Sequence, residues 1–342
     1  MIPFTLQNRA LMKANLRYGI VGSGALGGYY GAKLAHAGCD VHFLLRSDLE
    51  PVRTRGLAIR SRDGDFHLEH VNAYASPGEI GPCDVVLICL KTTSNAALPT
   101  LIPPLLAPDT ALVTLQNGLG NEELLASYFG SRRVMGGLCF VCLNRTAPGI
   151  VEHFGHGMLS IGEFKGPPQD RTMRVVTDFQ RAGVEAKAVQ SLITERWRKL
   201  VWNIPFNGLG ITAAANVAQV LNDEHLHAAA RALMAEVIHA AAKLGYAIRP
   251  DFIDQQIQHS WPMGAYRSSS QVDYEAGREV EVDSIWGEPL RQARAAVADT
   301  PRLEFLHALL NHLAGPHRKL AAPMIPTSAK APASPQSPAS RP

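Results

Sequence analysis

The chain has 342 residues, 46% of them hydrophobic and 18% charged, with a formal net charge of +3. That length allows two domains with substantial buried cores. The scattered basic residues form no stripe interleaved with aromatics, which argues against nucleic-acid binding, and no apolar run approaches the roughly 20 residues of a membrane span.

The opening MIPFTLQNRALMKANL (1–16) lacks the basic start and long apolar block of a secretory signal. It reads as an N-terminal extension, with Met12 as an alternative start of translation. YGIV (18–21) is then a short apolar strand ending at glycines, and 25–37 reads as a helix. CDVHFLL (39–45) is a second strand, and GLAIRSRDGDFHLEHV suggests a hairpin turning at Asp63-Gly64. CDVVLICL (83–90) and TALVTLQ (110–116) are almost continuously apolar, as parallel strands covered on both faces must be. Strand-like runs at 133–143, 149–162 and 184–189 complete a sheet region. From about 191 only helical patterns follow, at 194–215, 222–244, 250–260, 265–276, 283–298 and 301–314.

This order predicts an α/β fold: an N-terminal Rossmann-type doubly wound sheet over 17–190, then an all-helical domain over 191–320. The Pro/Ala/Ser-rich segment 321–342 is expected to be a disordered tail without chemistry. All five cysteines lie in the first half. Cys139 and Cys142 form a C-x-x-C with no second ligand pair, so a buried reduced pair is expected there, and no metal site. A cytoplasmic enzyme is the resulting expectation. Exposed apolar helix faces are compatible with a homodimer.

Gly22-Ser23-Gly24-Ala25-Leu26-Gly27 is a G-x-G-x-x-G directly after a strand and opening a helix. Gly22 permits a tight turn, Gly24 lets the backbone approach a pyrophosphate, and Gly27 lets helix and strand pack closely. The helix N-terminus offers unpaired N–H groups to phosphate. Arg46 stands nineteen residues beyond Gly27, where an NAD site usually has an acid. A guanidinium there suits the 2′-phosphate of NADPH, although Asp48 close by leaves NAD open. Lys91 and Asn117 each follow a strand's carboxyl end, the edge at which open α/β sheets bind ligands. Asn117-Gly118 is also readable as an ordinary turn.

In RWRKLVWNIPFNGLG, Lys199, Asn203 and Asn207 recur every fourth residue on one face of an apolar helix. Thr194 is the expected cap and Glu195 a first-turn carboxylate. Pro205 implies a bend or a break. A buried ammonium and two carboxamides must find water, structural partners or a polar ligand. Further on, Gly277 should end a helix, and Glu281 and Asp283 lie near the start of the next, where negative charge is favoured.

GSGALGGYYGAKLAHAG, the lysine of LICLK, LQNGLGNEE, ERWRKLVWNIPFN and SSSQVD…GREVEVDSIWG together resemble the 2-dehydropantoate 2-reductase (ketopantoate reductase) family over roughly 17–315. The resemblance implies NADPH-dependent reduction of a 2-oxo acid, 2-dehydropantoate, to (R)-pantoate, a step toward pantothenate and coenzyme A. It implies Lys199 as general acid and Glu281 as the glutamate that holds the substrate beside the cofactor. Asn117, Asn203 and Asn207 match asparagines lining the substrate and nicotinamide region, and Ser269 matches a serine that contacts the substrate carboxylate. Arg46 and Lys91 match basic residues near the NADPH phosphate and ribose. Two departures stand out: Ser270 occupies a position often apolar in the family, and Asn216 only approximates a further asparagine. A reductase of another 2-oxo acid and a non-catalytic NADPH-binding sensor are the alternatives.

Overall fold

Val21 and Ile20 sit side by side on the first strand yet belong to different cores, because successive strand residues point to opposite faces. The same division separates Val86 from Leu87, Leu112 from Val113 and Val134 from Met135. These strands are therefore buried on both faces, as their unbroken apolar runs require. The computed structural model describes residues 15–314. Most of the N-terminal extension, including Met12, and the 321–342 tail lie outside the described residues.

Among the described residues ten strands form one mixed sheet: β1 (Arg17–Val21), β2 (Asp40–Leu44), β3 (Leu57–Ser61), β4 (Phe66–Leu68), β5 (Asn72–Tyr74), β6 (Cys83–Ile88), β7 (Leu106–Thr114), β8 (Val134–Ala147), β9 (Ile150–Glu163) and β10 (Ala186–Ala188). Six of them run parallel in the spatial order β5-β2-β1-β6-β7-β8. That is the doubly wound arrangement, with its reversal of strand order between β1 and β6. Around it lie helices α1 (Ala25–His36), α2 (Leu49–Arg55), α3 (Pro77–Ile80), α4 (Leu98–Leu101), α5 (Asn121–Phe129) and α6 (Asp170–Arg181).

Two features of the sheet depart from a plain parallel reading. β8 and β9 form a long antiparallel hairpin, and the β3–β4 hairpin, turning through Gly64 as expected, adds to the outer edge of β9. The short edge strand β5 has no apolar pattern of its own and was not predicted; it is held by parallel pairing with β2.

Among the described residues the second lobe contains helices only: α7 (Leu192–Thr212), α8 (Val217–Asn222), α9 (Glu224–Lys243), α10 (Phe252–Ser260), α11 (Ser269–Glu275), α12 (Glu288–Ala295) and α13 (Pro301–Ala314). The 222–244 pattern is α9; the short α8 before it was not expected, and Asp223 separates the two and caps α9 by accepting from the His225 and Leu226 backbone N–H groups. The 283–298 segment opens as a π-turn at Asp283–Gly287 before α12.

Helix α7 is central to this lobe, with Trp197, Leu200, Val201 and Ile204 in its core. Its cap is Ser191, whose side chain accepts from the Thr194 backbone N–H, rather than Thr194 itself. The helix continues through Pro205 without a break. Beside that proline, the Trp286 indole donates to the Ile204 carbonyl at 3.0 Å, tying the π-turn to α7.

Candidate functional site

The loop after β1 lies against the loop after β6, at the point where strand order reverses. Gly22 has φ +96°, and a Cβ there would lie 2.4 Å from the Leu90 backbone nitrogen. A Cβ on Gly27 would meet the Gly22 carbonyl at 2.4 Å. Gly24, by contrast, has nothing within 4 Å of its would-be Cβ. It caps α1 without a side-chain bond to the helix N–H groups. Two glycines thus close the turn and the third opens a cradle at a helix N-terminus, which fits a pyrophosphate. Ser23 is anchored by donation to the Leu44 carbonyl at 3.1 Å, with Ala25 and Leu26 starting the helix.

Arg46 is exposed just beyond β2. Asp48, the acid that left NAD open, is 4% exposed and its carboxylate faces inward, accepting from Arg145 at 2.6 Å and from the Gly149 N–H at 3.4 Å. Committed to those partners, it is poorly placed to accept from a ribose hydroxyl, whereas the exposed guanidinium suits a phosphate.

Lys91 reaches across to the helical lobe, 2.5 Å from Asp273 and donating to the Glu279 carbonyl. The neighbouring Thr92 N–H donates to Glu281 at 2.8 Å. Burial raises the Glu281 carboxyl above its ordinary range, opposed by that backbone bond, the Thr92 side chain and the Lys91 charge. Lys91 and Glu281 therefore share one seam between the lobes. Asp283, by contrast, is exposed and paired with Arg291, which holds its carboxyl below the usual range.

Lys199 is 9% exposed on α7, and its Nζ donates to Asn117 Oδ1 at 2.7 Å. These residues are 82 apart in sequence. The turn carrying Asn117 is held in place by Gly118 (φ +84°) and by the Leu119 N–H, which donates to the Ser284 carbonyl at 2.9 Å. Burial lowers the Lys199 ammonium to about 8, with Cys139 and Glu281 pulling it upward and Arg196 downward. The Phe140 ring lies 5.6 Å from Nζ.

Asn203 and Asn207 follow on the same helix, 6% and 2% exposed. Asn207 Nδ2 donates to Ser270 Oγ at 3.1 Å, while its Oδ1 is buried without a partner among the described residues. Ser269 is exposed in the first turn of α11. Asn216 caps α8, accepting from the Gln219 N–H, which is a structural duty. The five cysteines are free; Cys139 is buried, whereas Cys142 is only half-buried because its end of the hairpin is more open.

Sequence reasoning passed over Arg196, which is 2% exposed and ion-paired with the equally buried Glu122. Its signal was present: a charge three residues before Lys199, on the neighbouring face of the same apolar helix. Thr92 left no signal, since a backbone N–H is common to nearly every residue.

Comparison with known proteins matches residues 18–166 to the family described as Ketopantoate reductase PanE/ApbA. Residues 191–314 match Ketopantoate reductase PanE/ApbA C terminal. A 2-dehydropantoate 2-reductase of Nostoc sp. is 41% identical over 307 residues, 88% of this chain and 96% of that protein. One of Mesorhizobium japonicum is 30% identical, covering 86% and 97%. The crystal structure of 2-dehydropantoate 2-reductase from Geobacter metallireducens GS-15 superposes with a TM-score of 0.85 at 43% identity, covering 87% of this chain and 99% of that one.

Proposed function

The chain belongs to the ketopantoate reductase family, and on that premise we propose that it reduces 2-dehydropantoate to (R)-pantoate with NADPH, in the cytoplasmic supply of pantothenate and coenzyme A. The observation that carries this reading is the buried Lys199 ammonium held by Asn117, where the helical lobe meets the carboxyl edge of the sheet. The Gly22–Gly27 turn and the N-terminus of α1 would hold the pyrophosphate, and Arg46 the 2′-phosphate.

When bound, NADPH supplies the hydride that the keto carbon receives. Negative charge grows on the keto oxygen, and Lys199 stabilises it and delivers a proton from Nζ. The lysine is left as a neutral amine and regains its proton from solvent. Asn117 orients the ammonium, Asn203 and Asn207 line the substrate, and Ser269 donates to its carboxylate. Glu281, held at one oxygen by Thr92, accepts from a substrate hydroxyl with the other.

NADPH oxidation followed optically across a panel of 2-oxo acids tests this reading, with 2-dehydropantoate expected to give the highest kcat/KM. Cofactor binding without turnover of any 2-oxo acid would instead mark a sensor. One observation favours a second reading, a shifted preference among 2-oxo acids: Ser270 puts a buried hydroxyl against Asn207, at a position the family resemblance leads us to expect apolar.

Two further outcomes are expected. Arg46→Ala should raise KM for NADPH roughly 10- to 100-fold, the loss expected for a charge-assisted pair, and leave NADH kinetics unchanged. An equal effect on both cofactors would remove Arg46 from phosphate recognition. Because Lys199 must enter the reaction protonated and its pKa is lowered to about 8, kcat should be level below that pH and fall about tenfold per unit well above it. A profile level to pH 10 would exclude Lys199 as the proton donor.

A further inference from the structure

We propose that Arg196, paired with Glu122, is a positioning residue for proton transfer: it fastens the strand end and turn carrying Asn117 to the helix carrying Lys199. This role rests on the reductase reading given above.

Arg196 stands three residues before Lys199 on α7 and is likewise buried. Its Nη1 donates to the Gln116 carbonyl at 2.6 Å, and its Nη2 to the Thr114 carbonyl at 3.3 Å. The Gln116 carbonyl belongs to the peptide bond that leads into Asn117, so the guanidinium grips the backbone from which the Asn117 side chain springs. Nε and Nη2 are both taken by Glu122 Oε1, Nε at 3.1 Å, so α5 is tied to the same point. Gly136 on β8 leaves the space: a Cβ there would lie 2.2 Å from Glu122 Oε1 and 3.0 Å from Arg196 Nη2.

A planar fork with several donors can span two carbonyls and a carboxylate at once, which an ammonium cannot. A buried ion pair is a poor source of net stability, since apolar residues of similar volume often replace it without loss. What this pair supplies is geometry. The Lys199–Asn117 bond joins groups from different lobes, and a shift of about 1 Å in such an alignment can cost a hundredfold in rate. Gln116 itself is braced on its other side, donating to the Leu90 carbonyl at 2.9 Å and to Asn95 at 2.7 Å, so Arg196 is the tie that runs to α7.

Removing Arg196 alone would leave Glu122 buried and unpaired and could unfold the protein, so the test uses the double variant R196M/E122M in the full chain. Because the Gln116 and Thr114 carbonyls lose their donor, its melting temperature should fall by about 5–10 °C while the chain still folds, and its NADPH Kd should stay within about twofold. Its kcat should fall at least tenfold with little change in KM. The decisive measurement is a cycle with N117A, which alone should also lower kcat. If Arg196 acts through Asn117, adding N117A to R196M/E122M should lower kcat less than a further twofold; R196K should fail to restore the rate. Native kcat in a folded double variant, or losses that simply multiply in the cycle, would overturn the role of Arg196 while leaving the reductase reading intact. A wild-type chain that turns over no 2-oxo acid would overturn both.

Discussion

Lys199→Ala should lower kcat roughly a thousandfold while leaving NADPH affinity within about twofold. General acid catalysis by a positioned side chain contributes about 10²- to 10⁴-fold, and a charge facing the developing oxyanion in a water-poor cleft acts in the same direction. Two features of this site place Lys199 well inside that range. Its ammonium is nine-tenths buried, so its field is little screened. Its proton affinity is lowered by burial to about 8, close to the operating pH, which makes it a better donor than an exposed lysine while most of it stays charged at neutrality. The alanine also frees Asn117 Oδ1, which a water can then occupy, so the fold should survive. Single-turnover kinetics with a cofactor titration would separate the two quantities. Turnover within tenfold of the wild type would exclude Lys199 as the acid; a parallel collapse of NADPH binding would mean the lysine is structural.

Gly22→Ala is the second large effect, and it acts on folding. The residue sits at φ +96°, where a Cβ is disfavoured by about 1–2 kcal/mol. The added carbon would also lie 2.4 Å from the Leu90 nitrogen and 2.7 Å from the Cys89 carbonyl carbon. Neither atom is free to retreat, because β1 and β6 are paired through Val21 and Ile88 and the Cys89 N–H donates to the Val21 carbonyl at 2.7 Å. Overpacking against a fixed neighbour adds about 1–3 kcal/mol, so a fall in melting temperature on the order of 10 °C is expected. Gly24→Ala provides the contrast. Its Cβ meets nothing in the protein, so stability should hardly change, but the methyl would occupy the space that a pyrophosphate needs. Thermal unfolding and NADPH titration of both variants check this. A Gly22→Ala protein as stable as the wild type would show that the turn can relax, and unchanged NADPH binding by Gly24→Ala would place the phosphates elsewhere.

The glycine turn was legible because its requirements are local. A strand, a tight turn and a helix N-terminus are contiguous in the chain, and each glycine's task follows from its distance to immediate neighbours. The stripe on α7 was legible for a similar reason, since helical periodicity alone aligns Lys199, Asn203 and Asn207. The helix carries Pro205 without a break, which propensity disfavours, because it is buried against the rest of the lobe and packing outweighs propensity there. Local signals failed where another segment supplied the partner. Asp48 looks like a candidate ribose acceptor until Arg145, 97 residues away, claims its carboxylate. Lys91, expected near the cofactor phosphate and ribose, also meets Asp273 on α11, a partner that chain spacing does not reveal.

By itself the sequence determined the α/β order, the nucleotide turn, the apolar strands buried on both faces and the polar stripe on the first long helix, because each depends on periodicity or on residues a few positions apart. Only the tertiary structure decided that β8 turns back against β9, that Arg196 and Glu122 share a buried site, and that Lys199 meets Asn117. Those pairings bring together groups that chain spacing leaves independent, and which of the many available partners each one meets is settled by how the two lobes pack.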